Sequence, residues 1–256
     1  MDSTALDKSA RPTCDAAVRP GPPEHVTDGS LTPPDVAASA VGGLIVFEGP
    51  DATGKSTLIA AVAAWLDERA VDFEVHAFPG NITGSLGELV YRIHHDPRAV
   101  NIDAITPSAL QALHVAAHLD AIERRIVPAL RAGRLVLLDR FWWSTWAYGV
   151  VDGVETNLLE SLISIERRAW GEWRPAAVVL PRRPSAWLER PALAAAYGEL
   201  AERSEGEHAV FAVDASSTRE RALAELIARL PLLSLRRPRG AGQDAAKPRR
   251  PSPETT

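Results

Sequence analysis

The stretch FEGPDATGKSTL, residues 47–58, decides how the rest of the chain is read. Gly49 and Gly54 bracket Pro50, Asp51, Ala52 and Thr53, and Lys55, Ser56 and Thr57 follow directly. Upstream, GLIVFE (43–48) is apolar and strand-like; downstream, 55–70 carries the apolar spacing of a helix. GxxxxGKS set between a strand and a helix is the pattern of a phosphate cradle. The glycines let backbone N–H groups close around phosphate oxygens, and the positive end of the following helix faces the anion. In such a loop Lys55 reaches the outer phosphates and the Ser56 hydroxyl ligates Mg²⁺.

Working outward, the apolar runs 72–78, 134–139, 176–180 and 208–214 read as further strands, mostly buried on both faces. They alternate with amphipathic segments at 107–132, 156–170, 186–204 and 217–230. The last opens on Ser217 with Glu220 three residues on, a capping-box pattern. The alternation predicts an α/β domain with a five-stranded parallel sheet flanked by helices. The run RLVLLD (134–139) ends in Asp139, whose carboxylate would lie beside the loop after the first strand. There it would hold the metal or a nucleophile's proton; the plain alternative is an aspartate that ends a strand.

Composition sets the outer bounds. Of 256 residues 46% are apolar, enough for one good core, and 28 basic against 33 acidic residues give no field for nucleic acid or a membrane surface. The single cysteine, Cys14, excludes a disulfide framework or a cysteine metal cluster. No apolar run reaches the ~20 residues of a membrane span, and the first residues lack a secretory signal, so a cytoplasmic protein is expected. Residues 1–40, with six prolines and no periodicity, read as a disordered leader, and 236–256 as a disordered basic, proline-rich tail, solvated or serving as a nucleic-acid or partner arm. The folded domain is expected at 41–235.

FEGPDATGKST resembles the phosphate loop of the thymidylate kinase family, and DRFWWSTWAYG (139–149) resembles that family's DR-aromatic segment. GSLGELV (84–90) and AVFAVDASSTRERALAEL (209–226) add supporting likeness, so the resemblance covers roughly 43–230. It implies a three-layer P-loop kinase fold and ATP-dependent phosphorylation of a nucleoside monophosphate, dTMP to dTDP, by in-line transfer of the γ-phosphate. Gly49, Pro50, Asp51, Ala52, Thr53, Gly54, Lys55, Ser56 and Thr57 would hold ATP and Mg²⁺, and Asp51 would also accept from the sugar 3′-hydroxyl of the acceptor. Asp139 would act on the metal or as base, with Arg140 bridging the phosphates. Ser144 and Thr145 fall where the family reads the base, and Tyr148 where it disfavours a ribose 2′-hydroxyl. A homodimer is left open.

The departures from that pattern are as informative. Ala77, in HAFPG (76–80), stands where the family carries an arginine. His118 takes the place of a phosphate-contacting arginine and His114 that of a base-stacking phenylalanine, unless both are simply helix-face histidines. Gly149 replaces a common glutamine. LPRRPSAWLERP (180–191) is short for the arginine-bearing lid, leaving Arg182, Arg183 and Arg190 either as the missing cation or as a surface cluster. Trp142, Trp143 and Trp146 line a pocket or a dimer contact, or fill the core. The thinned monophosphate grip keeps two alternatives alive: a kinase for a deoxynucleoside or modified nucleotide, and a low-activity ATP-binding regulatory module of the same fold. No Asn-Lys-x-Asp motif supports a GTPase.

Overall fold

The computed structural model describes residues 43–80, 82–184, 188–204 and 206–230. The expected leader (1–40) and tail (236–256) lie outside the described residues. Every described residue belongs to one compact unit.

All five expected strands form: β1 (Leu44–Phe47), β2 (Phe73–Ala77), β3 (Leu135–Asp139), β4 (Ala177–Arg182) and β5 (Val210–Asp214). They make one parallel sheet in the order β2-β3-β1-β4-β5. Side-chain alternation explains their near-continuous apolar sequences, because each face has its own core. Ile45, Phe47, Leu135, Leu137 and Val179 pack with Leu58, Val62 and Leu66 of α1 (Lys55–Asp67) and with Leu226 of α8 (Arg219–Arg229). Leu44, Val46, Val136, Leu138 and Val178 face the opposite core, built on Ile122, Trp143, Leu159, Trp170 and Leu193. Phe47 and Ala77 both stand in register with Asp139, so β1, β2 and β3 end level. The crossovers leave β1 and β3 for opposite edges of the sheet. The loop after β1 therefore opens at the carboxyl edge where ligands bind in such sheets.

Helices differ from expectation in five places, one being the segment expected at 186–204, whose helix starts only at Pro191. α2 (Leu86–His95), capped by Ser85 accepting from Glu88 N–H, is not among the expected helices, although Leu86, Leu89, Val90 and Ile93 carry helical spacing. α5 (Trp142–Val151) was hidden for another reason: it is buried on nearly every side and carries no polar stripe. The segment 107–132 divides into α3 (Pro107–Ala121), a π-helical turn (Ile122–Ile126) and α4 (Val127–Arg131). Pro128 explains the break, since it has no N–H to donate and its ring crowds the carbonyl four residues back. Finally, α8 is capped by Thr218, which accepts from Arg221 N–H, whereas the Ser217 hydroxyl donates to Asp214 O at 2.7 Å. α6 (Thr156–Ala169) and α7 (Pro191–Arg203) complete the domain. Among the described residues no helix is long and apolar enough to cross a membrane.

Gly149 now has a structural reason. A Cβ there would lie 2.4 Å from Leu159 Cδ2, so α5 and α6 touch across it. Gly149→Ala should lower stability by about 1–3 kcal/mol through overpacking, read as a drop in the thermal midpoint. Gly87→Ala should be worse, because its Cβ would meet the Pro79 carbonyl oxygen at 2.0 Å and backbone cannot rotate aside.

Candidate active site

The phosphate loop starts from a buried carboxylate. Glu48, 0% exposed, follows β1 and accepts from four donors: Phe141 N–H (2.7 Å), Ser144 N–H (3.0 Å), the Ser144 hydroxyl (2.8 Å) and Gly49 N–H (3.3 Å). Two of these are N–H groups of the first turn of α5, the Ser144 N–H being shared with Phe141 O at 3.0 Å, so Glu48 caps that helix from another strand. Burial pushes its carboxyl up to about 7, against the pull of Arg140, Ser144 and Lys55. Sequence reading gave Glu48 no role. The available signal was a charged residue closing a strand buried on both faces.

Beyond it, Gly49 and Gly54 take positive φ of 132° and 97°, which the loop's path requires. The Thr53 hydroxyl donates to Pro50 O at 2.8 Å and braces the turn. Lys55 is 6% exposed and its Nζ donates to Gly49 O and Pro50 O, both at 2.8 Å. The lysine thus lies folded over its own loop, with its ammonium where phosphate oxygens can replace the carbonyls. Burial lowers its pKa to about 8, helped by Arg140 and opposed by Asp139, Asp51 and Glu48. α1 begins at Lys55 with no side-chain cap and no acid in its first turn, leaving Ser56 and Thr57 exposed at a helix N-terminus that favours an anion.

Asp139 ends β3 beside this loop. Its Oδ1 is buried without a hydrogen-bond partner. Burial raises its pKa, while Lys55, Arg140 and a hydrogen bond from Ser56 pull it down. An orphaned carboxylate oxygen next to a serine hydroxyl fits Mg²⁺, which takes one or two protein oxygens and completes its shell with phosphates and water. Among the described residues no group of three His, Cys, Asp or Glu side chains forms a cage of its own.

The acceptor side is assembled from three segments. Arg140 adopts φ of +73°, unusual for a side-chain-bearing residue, and its N–H donates to Phe47 O at 2.9 Å. Its guanidinium donates to Ser144 Oγ (3.1 Å) and Tyr148 Oη (3.4 Å) and pairs with Asp51. The Tyr148 hydroxyl donates to the second Asp51 oxygen at 2.8 Å. Burial alone would lower the Arg140 pKa, but Tyr197, Tyr148, Asp51 and Glu48 outweigh it and keep the group charged. Ser144 Oγ also lies 2.8 Å from Tyr197 Oη, so its hydroxyl is occupied by Glu48, Arg140 and Tyr197. Thr145 is buried, with Oγ1 lacking a partner.

The histidines divide. His114 Nε2 lies 2.9 Å from His94 Nδ1, and burial, then His118 and His94, push its pKa to about 2, so the ring is neutral. His118 is 2% exposed, with Nδ1 2.8 Å from Glu166 Oε2 and its ring stacked on Phe78 at 4.0 Å. That is the setting of a core histidine serving a buried carboxylate. Of the three lid candidates, Arg183 reaches the phosphate loop: Nη2 lies 3.7 Å from where a Cβ on Gly54 would sit. Arg190 instead pairs with Asp152 and lies 5.6 Å from the Tyr148 ring, and Arg182 is exposed at the end of β4. The tryptophans at 142, 143 and 146 are all buried; Trp142 and Trp146 also line a groove on the far side of α5.

A glycine loop between β1 and α1, level with a carboxylate ending β3 in a parallel 2-3-1-4-5 sheet, defines a P-loop nucleotide kinase domain. The family model "Thymidylate kinase" matches residues 47–221, and the chain belongs to that family. It is 36% identical over 163 residues to the thymidylate kinase of Symbiobacterium thermophilum, covering 63% of this chain and 70% of that protein. Likeness to the thymidylate kinase of Anoxybacillus flavithermus is 31% over 134 residues, spanning 52% of this chain and 60% of the relative. For the probable thymidylate kinase of Pyrococcus horikoshii it is 30% over 127 residues, 50% and 61%. The crystal structure of thymidylate kinase from Ehrlichia chaffeensis shares the fold, with a TM-score of 0.59 at 19% identity over 74% of this chain and 98% of that one.

Two outcomes follow from this geometry. Lys55 is a cation below about pH 8 and loses its proton above it, so ATP affinity should fall as pH rises through that value. A dissociation constant about tenfold weaker near pH 9.5 than near pH 7, by calorimetry, is expected, and a flat profile would refute the shifted lysine. Glu48→Gln keeps the shape but sets an NH₂ against buried donors; it should cost about 1–3 kcal/mol of stability and lower kcat by displacing Arg140.

Proposed function

We propose that this protein transfers the γ-phosphate of ATP to dTMP, giving dTDP. The observation that carries the reading is the meeting of two half-sites across one sheet edge. The loop with Lys55 and Ser56 faces Asp139, and the Asp51–Arg140–Tyr148 network stands directly beside it. In this reading the loop's N–H groups and Lys55 hold the donor phosphates. Arg140 spans donor and acceptor phosphates as a permanent cation, and Asp51 and Tyr148 orient the acceptor sugar. Mg²⁺, held by Ser56 and Asp139, would supply neutralising charge on the phosphate oxygens. Arg183, next to Gly54, is placed to add positive charge where the lid is short. Catalysis is then positioning plus electrostatics. Residues 41–235 are proposed as the sufficient unit.

One observation favours a second acceptor class. His118, in an arginine position, is buried against Glu166, and Ala77 carries no charge, so the side-chain cations around a monophosphate are reduced to Arg140 and Lys55. A deoxynucleoside would suit that setting.

A coupled assay of ATP consumption over deoxynucleoside monophosphates and deoxynucleosides separates the two. The expected result is a kcat/KM for dTMP at least about tenfold above any other acceptor, a gap of ~1.4 kcal/mol in transition-state binding. Thymidine outperforming dTMP would move the assignment to a nucleoside kinase. Asp139→Asn should leave the fold intact and cost about two orders of magnitude in kcat; a loss under about tenfold would reduce Asp139 to a strand end.

A further inference from the structure

A groove of about 680 Å³ lies between α5, α6 and the C-terminal half of α7. Trp142 and Trp146, one turn apart on α5, line it. Successive residues of a helix are turned by about 100°, so these rings point away from Ser144 and Tyr148, which serve the acceptor network. The groove is therefore on the other side of α5 from the catalytic cleft.

Its walls set tryptophan rings beside four arginines. The Arg167 guanidinium lies 5.5 Å from the Trp142 ring centre, and that of Arg203 5.1 Å from the Trp146 ring. Arg168 and Arg174 also line the groove, against the carboxylates Glu160 and Glu207, which leaves a surplus of two positive charges (four less two). Glu207 is engaged by Arg167 at 3.0 Å. Among the described residues, Arg168 and Arg203 have no carboxylate within salt-bridge distance, while Arg174 donates to Gly171 O (2.6 Å) and Trp173 O (3.1 Å). A small recess continuing the groove past Trp142 and Arg167 is lined by Trp170 and His208. There Trp170 Nε1 and His208 Nδ1 are buried with no hydrogen-bond partner.

We propose that this groove is a second ligand site, for a planar aromatic anion of the nucleotide class. The guanidinium planes of Arg167 and Arg203, backed by the buried Trp142 and Trp146 rings, can stack on a flat ring, and the forks of Arg168 and Arg203, which have no carboxylate partner, match phosphate oxygens. The volume falls within the ~300–1,000 Å³ of small-molecule sites.

Equilibrium dialysis of the full chain against labelled ATP counts the sites. The Lys55→Ala protein, weakened in the phosphate loop, should retain one equivalent of bound ATP. Adding Arg168→Glu and Arg203→Glu should weaken that remaining binding by about tenfold or more, as for loss of charge-assisted contacts. Both arginines are exposed, and the milder Arg168→Gln/Arg203→Gln pair should show the same loss if charge reversal disturbs folding. Arg168→Glu/Arg203→Glu alone should keep kcat at saturating substrates. Tripolyphosphate, which lacks a ring, should compete at least about tenfold more weakly than ATP. No ATP bound by Lys55→Ala, undiminished binding after the arginine changes, or tripolyphosphate competing as well as ATP would each overturn the proposal.

Discussion

A carboxylate with no exposed surface holds the two halves of this site together. Glu48 joins the end of β1, the first N–H of the phosphate loop and the start of α5. Moving a carboxylate out of water costs several kcal/mol, so its place in the core needs compensation from every side. Four donors and the nearby Arg140 and Lys55 supply it. A glutamine there would keep one acceptor oxygen but turn an NH₂ toward the remaining donors. The position is therefore constrained from both directions: the carboxylate needs its donors, and the start of α5 needs an acceptor.

The consequences spread outward from that contact. Arg140 sits between Asp139, which ends β3, and Phe141, whose N–H is held by Glu48; its left-handed backbone is the turn that joins those fixed ends. That turn aims the guanidinium at Ser144, Tyr148 and Asp51 rather than along the strand direction. Strain of about 1–3 kcal/mol at such a residue persists only where its surroundings over-determine it, and here they do. Asp51 belongs to the phosphate loop, so the same network ties the donor cradle to the acceptor side.

Much of this was legible in the sequence, for physical reasons. Strands buried on both faces write themselves as apolar runs, and a phosphate loop demands glycine at Gly49 and Gly54, so sheet and cradle could be read together. α5 could not, because a helix enclosed by protein loses the polar stripe that marks its period. The roles of Glu48 and Tyr197 were invisible because their partners lie 96 and 53 residues from them in sequence, at Ser144. His118 shows the opposite limit. Its alignment with an arginine position gave it a phosphate, while its neighbours Glu166 and Phe78 give it a core.

The aromatic density of α5 follows from its position among three environments. Trp143 fills the core with 0% exposure, Ser144 and Tyr148 belong to the polar network, and Trp142 and Trp146 close the opposite side. A helix with one amphipathic stripe could not meet all three demands. Gly149 is the counterpart of that bulk: where the rings push outward elsewhere, the helix comes into direct contact with Leu159 of α6. Large rings on two sides and no side chain on a third fix the rotation of α5 about its axis. That rotation, set by packing, is what points Ser144 and Tyr148 at Arg140.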